Sequence, residues 1–332
     1  MQELKFDVVA VGNAIVDVIK PVSDDFLVQE GIAKAAMTLI DEERAQDLTA
    51  KLAGAVVTAG GSAANTVTGI ANLGGATGYM GKVAQDELGA QFTQDFRAVG
   101  VSFDTPPRPG VPSTARCFIA VTPDGQRSMS TYLGASTLLD PEDIDQALIA
   151  SAQITYLEGY LFDRDEAKAA FVRAAEFAAA AGRKVSLTLS DAFCVERHRD
   201  SFKHLVSGHI DILFANENEI LSLYETDDLE TALNRAREHC PMVAVTRSEK
   251  GSVIAVPGET IEVPAAPVSK VVDTTGAGDL YAAGFLFGLA RKLPINKCGA
   301  LGSLAAAEVI SHYGPRPETS LRELAITQGL LS

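Results

Sequence analysis

Apolar and polar positions alternate along this chain in two rhythms. Short apolar runs bounded by glycine, proline or polar residues, FDVVAV at 6–11, ITYLEG at 154–159, KVSLTLS at 184–190, IDILFAN at 210–216 and MVAVT at 242–246, predict strands buried on both faces. Between them, apolar residues at three- and four-residue spacing predict helices. One carries Ala64, Val67, Ile70, Ala71 and Leu73 and stops at Gly74-Gly75; others run from about Asp86 to Ala98, over 164–181 with Gly182 closing it, near 195–207, over 217–224 and over 229–239. A β-rich patch follows from SVIAV through IEVPA to VSKVV at 268–272, and helices at 278–291, 295–311 and 319–331 end the chain.

From residue 151 onward this is the alternation of a parallel α/β protein, with ligands expected at the carboxyl ends of the strands. The expected architecture is a three-layer α/β/α sandwich on a mainly parallel central sheet, in one domain spanning 1–332. Extra β-segments near 14–20, 33–40 and 115–133 break the alternation. The last holds Pro123-Asp124-Gly125 between two β-rich runs, a hairpin signal. Residues 14–40 and 107–133 are therefore expected to form a small second sheet acting as a lid.

Composition narrows the class. With 332 residues, 47% of them hydrophobic, the chain can bury a large core. A formal net charge of −15 argues against nucleic-acid or acidic-membrane surfaces, so any phosphate site must be local. Four separated cysteines without Cys-x-x-Cys predict reduced, buried thiols. The N-terminus lacks the charge pattern of a leader and no stretch of 18 apolar residues occurs, so a cytoplasmic protein is expected.

The candidate chemistry centres on VVDTTGAGD at 271–279. Gly276 and Gly278 let the backbone approach a ligand, and the helix opening there aims free N–H groups and a partial positive charge at one spot. This is an anion site with a carboxylate, Asp279, beside it. Taken alone, Asp279 reads either as a first-turn acid that favours the helix dipole or as a base next to a phosphate.

Asp273-Thr274-Thr275-Gly276-Ala277-Gly278-Asp279 resembles the C-terminal signature of the ribokinase, or PfkB, family of carbohydrate and nucleoside kinases. The resemblance extends from Gly12 to about residue 317. It implies that the Gly276, Ala277 and Gly278 amides form the anion hole for the transferred phosphoryl group, with Thr275 beside the nucleotide, and that Asp279 takes the proton of the acceptor hydroxyl. Gly60-Gly61-x-x-x-Asn65 is similar to the family's N-terminal signature and implies an acceptor site. Asn216-x-x-Glu219 is similar to the Asn-x-x-Glu that orders Mg²⁺ through water near the nucleotide phosphates. Thr246 and Gly251 match a nucleotide-contacting pattern, with Ser248 standing where its first glycine is usual. The cofactors implied are ATP and Mg²⁺, with a monovalent cation such as K⁺ as a further ion.

Local details resemble the adenosine-kinase-like branch. Asn13 and Asp17, in Gly12-Asn13-x-x-x-Asp17, would hold ribose hydroxyls, Arg127 would reach the transferred phosphate, and Tyr160 and Leu161 would wall the base. The function expected is phosphoryl transfer from ATP to the 5′-hydroxyl of a nucleoside, adenosine ahead of a sugar such as ribose or fructose, by a monomer or homodimer. A non-catalytic small-molecule sensor on the same fold is the reading from another class. Retention of Asp279, the glycine loop and Glu219 together favours the enzyme. No P-loop is present, since Ala76 and Val83 break the pattern around Gly81-Lys82, and no dinucleotide fingerprint follows the first strand.

Overall fold

The computed structural model describes residues 3–110 and 112–332. Strand Phe6–Val11 sets the layering. Val8 and Ala10 enter the core on one side of the sheet and Val9 and Val11 the core on the other, all four fully buried. Such a run is apolar throughout because both faces are covered by helices.

Among the described residues the central sheet has nine strands in the order Glu259–Val263, Ser252–Val256, Met242–Thr246, Ile212–Asn216, Lys184–Thr188, Ala152–Glu158, Phe6–Val11, Thr77–Met80 and Val101–Phe103. The first two return antiparallel and the others are parallel, which gives the expected α/β/α sandwich. Helix Ala277–Ala290 is apolar on all sides and buried between the sheet and helix Ile295–Val309. Gly284 permits that approach, since a Cβ there would stand 2.3 Å from the Leu301 carbonyl oxygen.

A second sheet runs Met37–Leu39, Arg127–Tyr132, Ala115–Val121, Ile15–Pro21, Val56–Gly60. Its residues divide by the period of two. Val18, Phe118 and Tyr132 pack on Ala45 and Leu48 of helix Glu42–Lys51, while Ile15, Asp17, Cys117, Ile119, Met129 and Thr131 line a cavity on the opposite face.

The structure departs from the sequence reading in three places. The second sheet takes in strand Val56–Gly60, outside the segments expected to form it, through antiparallel pairing with Ile15–Pro21. Helices Asp24–Glu30 and Glu42–Lys51 accompany it, started by the side chains of Ser23 and Asp41, which accept the amides of Phe26 and Arg44. VSKVV, read as β-structure, forms no strand; Val268 and Val271 line the cavity instead, and Val271 is 56% exposed.

Candidate active site

The glycine-rich loop is pinned before it becomes a helix. Asp273 Oδ1 accepts Thr275 N at 3.1 Å and Thr275 Oγ1 at 2.8 Å, and Oδ2 accepts Gly314 N at 3.0 Å. Gly276 then turns with φ +79°, a conformation that only glycine adopts without strain, and a Cβ there would stand 2.8 Å from Pro315. The chain enters helix Ala277–Ala290 with no side-chain cap; Ala277 N turns back to the Thr274 carbonyl at 3.2 Å, while the Gly276 and Gly278 amides make no hydrogen bond among the described residues and can meet an anion.

Asp279 lies in the first turn of that helix. Its Oδ1 accepts Ser62 Oγ at 2.6 Å and its Oδ2 accepts Asn65 Nδ2 at 2.9 Å, which fixes the carboxylate above the start of helix Ser62–Asn72. Burial raises its pKa to about 6, against the lowering effect of those two bonds. At neutral pH it is ionised and more basic than an ordinary aspartate, which suits a proton acceptor.

One end of the site is built on the ends of the first strands. Asp17 is buried, and no hydrogen bond reaches its carboxylate among the described residues, which leaves those oxygens for a ligand's donors. Gly60 packs against it from the neighbouring strand, where a Cβ would fall 2.3 Å from the carboxylate. Asn13 is held by Glu158, whose Oε1 accepts Asn13 N at 3.3 Å and Nδ2 at 2.9 Å while Oε2 accepts Ala63 N at 2.8 Å. Burial raises both Asp17 and Glu158 to about 7.

At the other end, Asn216 and Glu219 form a reciprocal cap. Glu219 Oε2 accepts Asn216 N at 2.9 Å, its Oε1 accepts Asn216 Nδ2 at 2.6 Å, and Glu219 N donates to Asn216 Oδ1 at 2.9 Å. Burial raises Glu219 to about 7 as well. Thr246, Gly251 and Thr275 line the same end of the cavity. Ser248, in place of the usual glycine, sits at φ +52°, a strain of roughly 1 kcal/mol for a residue with a Cβ.

One cavity of about 1360 Å³ joins the two ends, larger than the roughly 300–1,000 Å³ of a single small-molecule site. Asn13, Asp17, Gly61, Asn65, Tyr160, Asn216, Glu219, Thr246, Gly251, Thr275 and the Gly276–Asp279 turn all line it. Leu161 does not. It is buried in the core, because the chain enters a 3₁₀ turn after Glu158 that sends Tyr160 towards the cavity and Leu161 away. Tyr160 Oη donates to the Ser190 carbonyl at 3.2 Å. Arg127 also stands off the cavity wall, on Asp273.

Two lining residues escaped the sequence reading. Phe193, 75% exposed at the start of helix Ala192–Gly208, puts an aromatic ring on the cavity wall that Leu161 does not reach. Glu158, an acid at the carboxyl end of a parallel strand, carried a legible signal in that position alone.

No group of three His, Cys, Asp or Glu side chains among the described residues is arranged to hold a metal ion. Both Glu219 oxygens already serve Asn216, so Asn216 and Glu219 fit an ion that keeps its water and is held mainly by phosphates, not one bound directly by the protein. No described helix is long and apolar enough to cross a membrane.

Comparison with known proteins places this geometry. The family model described as pfkB family carbohydrate kinase matches residues 7–321. A probable sugar kinase protein from Rhizobium etli is 52% identical in its crystal structure, with a TM-score of 0.92 and all of both chains covered. The adenosine kinase from Sinorhizobium meliloti is 50% identical with a TM-score of 0.90, covering 98% of this chain and 99% of that one. Adenosine kinase 2 of Arabidopsis thaliana is 25% identical over 91% of this chain and 93% of its own length.

Proposed function

Because the chain belongs to the pfkB family of carbohydrate kinases and is a phosphotransferase acting on hydroxyl groups, we propose that it transfers the γ-phosphoryl group of ATP to the 5′-hydroxyl of a nucleoside, adenosine first. The observation that carries the choice of acceptor is the wall of the acceptor end. Ile15, Ile119, Met129 and Leu133 line it from the small sheet and its flank, with exposed Phe193 at the same cavity. A nucleoside base covers such a surface, whereas a free sugar would set hydroxyls against it without partners.

In this reading Asp17 and Asn13 hold the ribose hydroxyls, and Asp279 takes the proton as the acceptor oxygen attacks. The Gly276, Ala277 and Gly278 amides stabilise charge on the phosphoryl group in transit. Thr246, Gly251 and Thr275 contact the nucleotide. Asn216 and Glu219 would orient the water of a Mg²⁺ ion, which neutralises phosphate charge when bound. The small sheet, with segments 14–40 and 107–133, acts as a lid that excludes water.

A sugar acceptor is the second reading. The Rhizobium etli relative, described as a probable sugar kinase protein, favours it. The deciding experiment measures ADP release with ATP and Mg²⁺ against adenosine, inosine, guanosine, ribose and fructose. Adenosine should give the highest kcat/KM. A clear preference for ribose or fructose would replace the nucleoside reading, and background rates with every acceptor would count against the kinase assignment to this cavity.

A further inference from the structure

The segment 310–319, between helices Ile295–Val309 and Leu321–Thr327, runs behind the glycine-rich loop and holds it at three points. The Ile310 carbonyl accepts Val272 N at 2.8 Å, Gly314 N donates to Asp273 Oδ2 at 3.0 Å, and Pro315 packs on Gly276. Glu308 anchors the segment. Its Oε1 accepts Glu318 N at 3.0 Å, Thr319 N at 2.9 Å and Thr319 Oγ1 at 2.9 Å.

His312 stands where this anchor meets the loop, its side chain 13% exposed. Its Nε2 lies 3.2 Å from Glu308 Oε2, and its Nδ1 lies 3.2 Å from the Tyr313 carbonyl oxygen and 3.7 Å from Glu318 Oε1. All of these partners are acceptors. A neutral imidazole carries one N–H and would set its other nitrogen's lone pair against an oxygen, whereas an imidazolium donates on both sides. The charged groups around the ring are Glu308 from helix Ile295–Val309, Glu318 from the segment that follows and, beyond Tyr313, Arg127 of the small sheet, whose guanidinium lies over the Tyr313 ring at 5.9 Å. Burial pulls the His312 pKa down, but the Tyr313 carbonyl and the two carboxylates outweigh it and hold the pKa above the ordinary 6.5.

The Tyr313–Gly314 peptide is the link to the site. Its C=O faces His312 and its N–H holds Asp273, whose other oxygen accepts Thr275 N and Thr275 Oγ1 at the head of the loop. We propose that His312 is a positioning residue for the phosphoryl-binding loop: as an imidazolium it locks the Tyr313–Gly314 peptide in the orientation that holds Asp273, and so keeps the Gly276 and Gly278 amides in register for the donor's phosphates. This rests on the reading of those amides as an anion hole. His312 does not line the cavity, so the effect passes through the peptide and Asp273 and not through contact with a ligand. Loss of the proton removes one of its two bonds. The support is full below pH 6.5 and is lost as pH rises through the shifted midpoint, because the folded state binds this proton more tightly than the unfolded chain.

The test follows the ring and the loop together. Proton–nitrogen NMR of ¹⁵N-labelled protein, assigned from the backbone, reports the charge of the His312 ring and the positions of the Gly276, Gly278 and Gly314 amides across one pH titration. His312 should be an imidazolium at pH 6 and titrate above 6.5, and the Gly276 and Gly278 amides should carry a component with the same midpoint. Glu308→Gln should lower both midpoints together by about one pH unit. ATP with Mg²⁺ and no acceptor should raise the wild-type midpoint by about half a pH unit; by linkage, KM for ATP should be about threefold higher in His312→Gln than in wild type at pH 6, with the gap closing by pH 9 and acceptor KM unchanged. A neutral His312 at pH 6, or a titration felt by Gly314 and not by Gly276 and Gly278, would overturn the proposal. The wild-type titration decides this even where a variant fails to fold. It also needs no turnover, so a protein inactive on every acceptor would refute the functional reading and leave the role of His312 to the spectra.

Discussion

Arg127, on a strand of the small sheet, and Asp273, at the head of the glycine-rich loop, form a 2.5 Å ion pair in which each side chain is only 7% exposed. The small sheet and the glycine-rich loop are thus joined through charges shielded from solvent. Removing one partner strands the other: Arg127→Leu should cost roughly 3 kcal/mol, because Asp273 would remain buried and charged. Arg127→Leu/Asp273→Asn should recover part of that loss. Urea denaturation of both variants checks this, and fully additive losses would mean that the pair is not coupled.

Asp17 trades stability for function. Burial raises its folded pKa to about 7, above the ordinary aspartate value of 3.8, so the folded state binds the extra proton between those limits. The stability tied to this group is present in full below about pH 4 and is lost as pH rises through 7. Asp17→Asn should therefore stabilise the protein at pH 8 by roughly 2 kcal/mol or more while weakening acceptor binding. Thermal melts of both proteins at pH 5 and pH 8 test the sign, with the gain expected at pH 8.

Glu158 serves three donors with two oxygens, two of them on Asn13. Glu158→Gln turns one accepting oxygen into an NH₂ group that faces another donor. A loss of about 1–3 kcal/mol in stability is expected from the unsatisfied amide. Acceptor KM should rise with little change in KM for ATP, because Asn13 and the start of helix Ser62–Asn72 lie on the acceptor side. Equal changes in both KM values would argue for a general loosening.

Much of this architecture was legible because the central strands are apolar on both faces, and the Asp273–Asp279 string carries its own backbone requirement at Gly276. What escaped has physical reasons. Helix Glu42–Lys51 buries little beyond Ala45 and Leu48, so its apolar stripe is faint and its capping residue Asp41 was the better signal. VSKVV misled because its apolar residues serve the cavity and not the core. Leu161 left the cavity wall because a 3₁₀ turn after the strand breaks the period-two alternation, and Phe193 reaches that wall from the start of a separate helix with no pattern to mark it.

As the proposed base for a hydroxyl held beside the Gly276–Gly278 amides, Asp279 must govern kcat. The most direct test compares kcat of Asp279→Asn with wild type on the preferred acceptor at pH 7.5, with ATP affinity measured alongside. Ser62 and Asn65 can still hold the amide in place, so folding and ATP binding should persist while kcat falls by about 10²–10⁴-fold. A kcat within a few-fold of wild type would contradict the account.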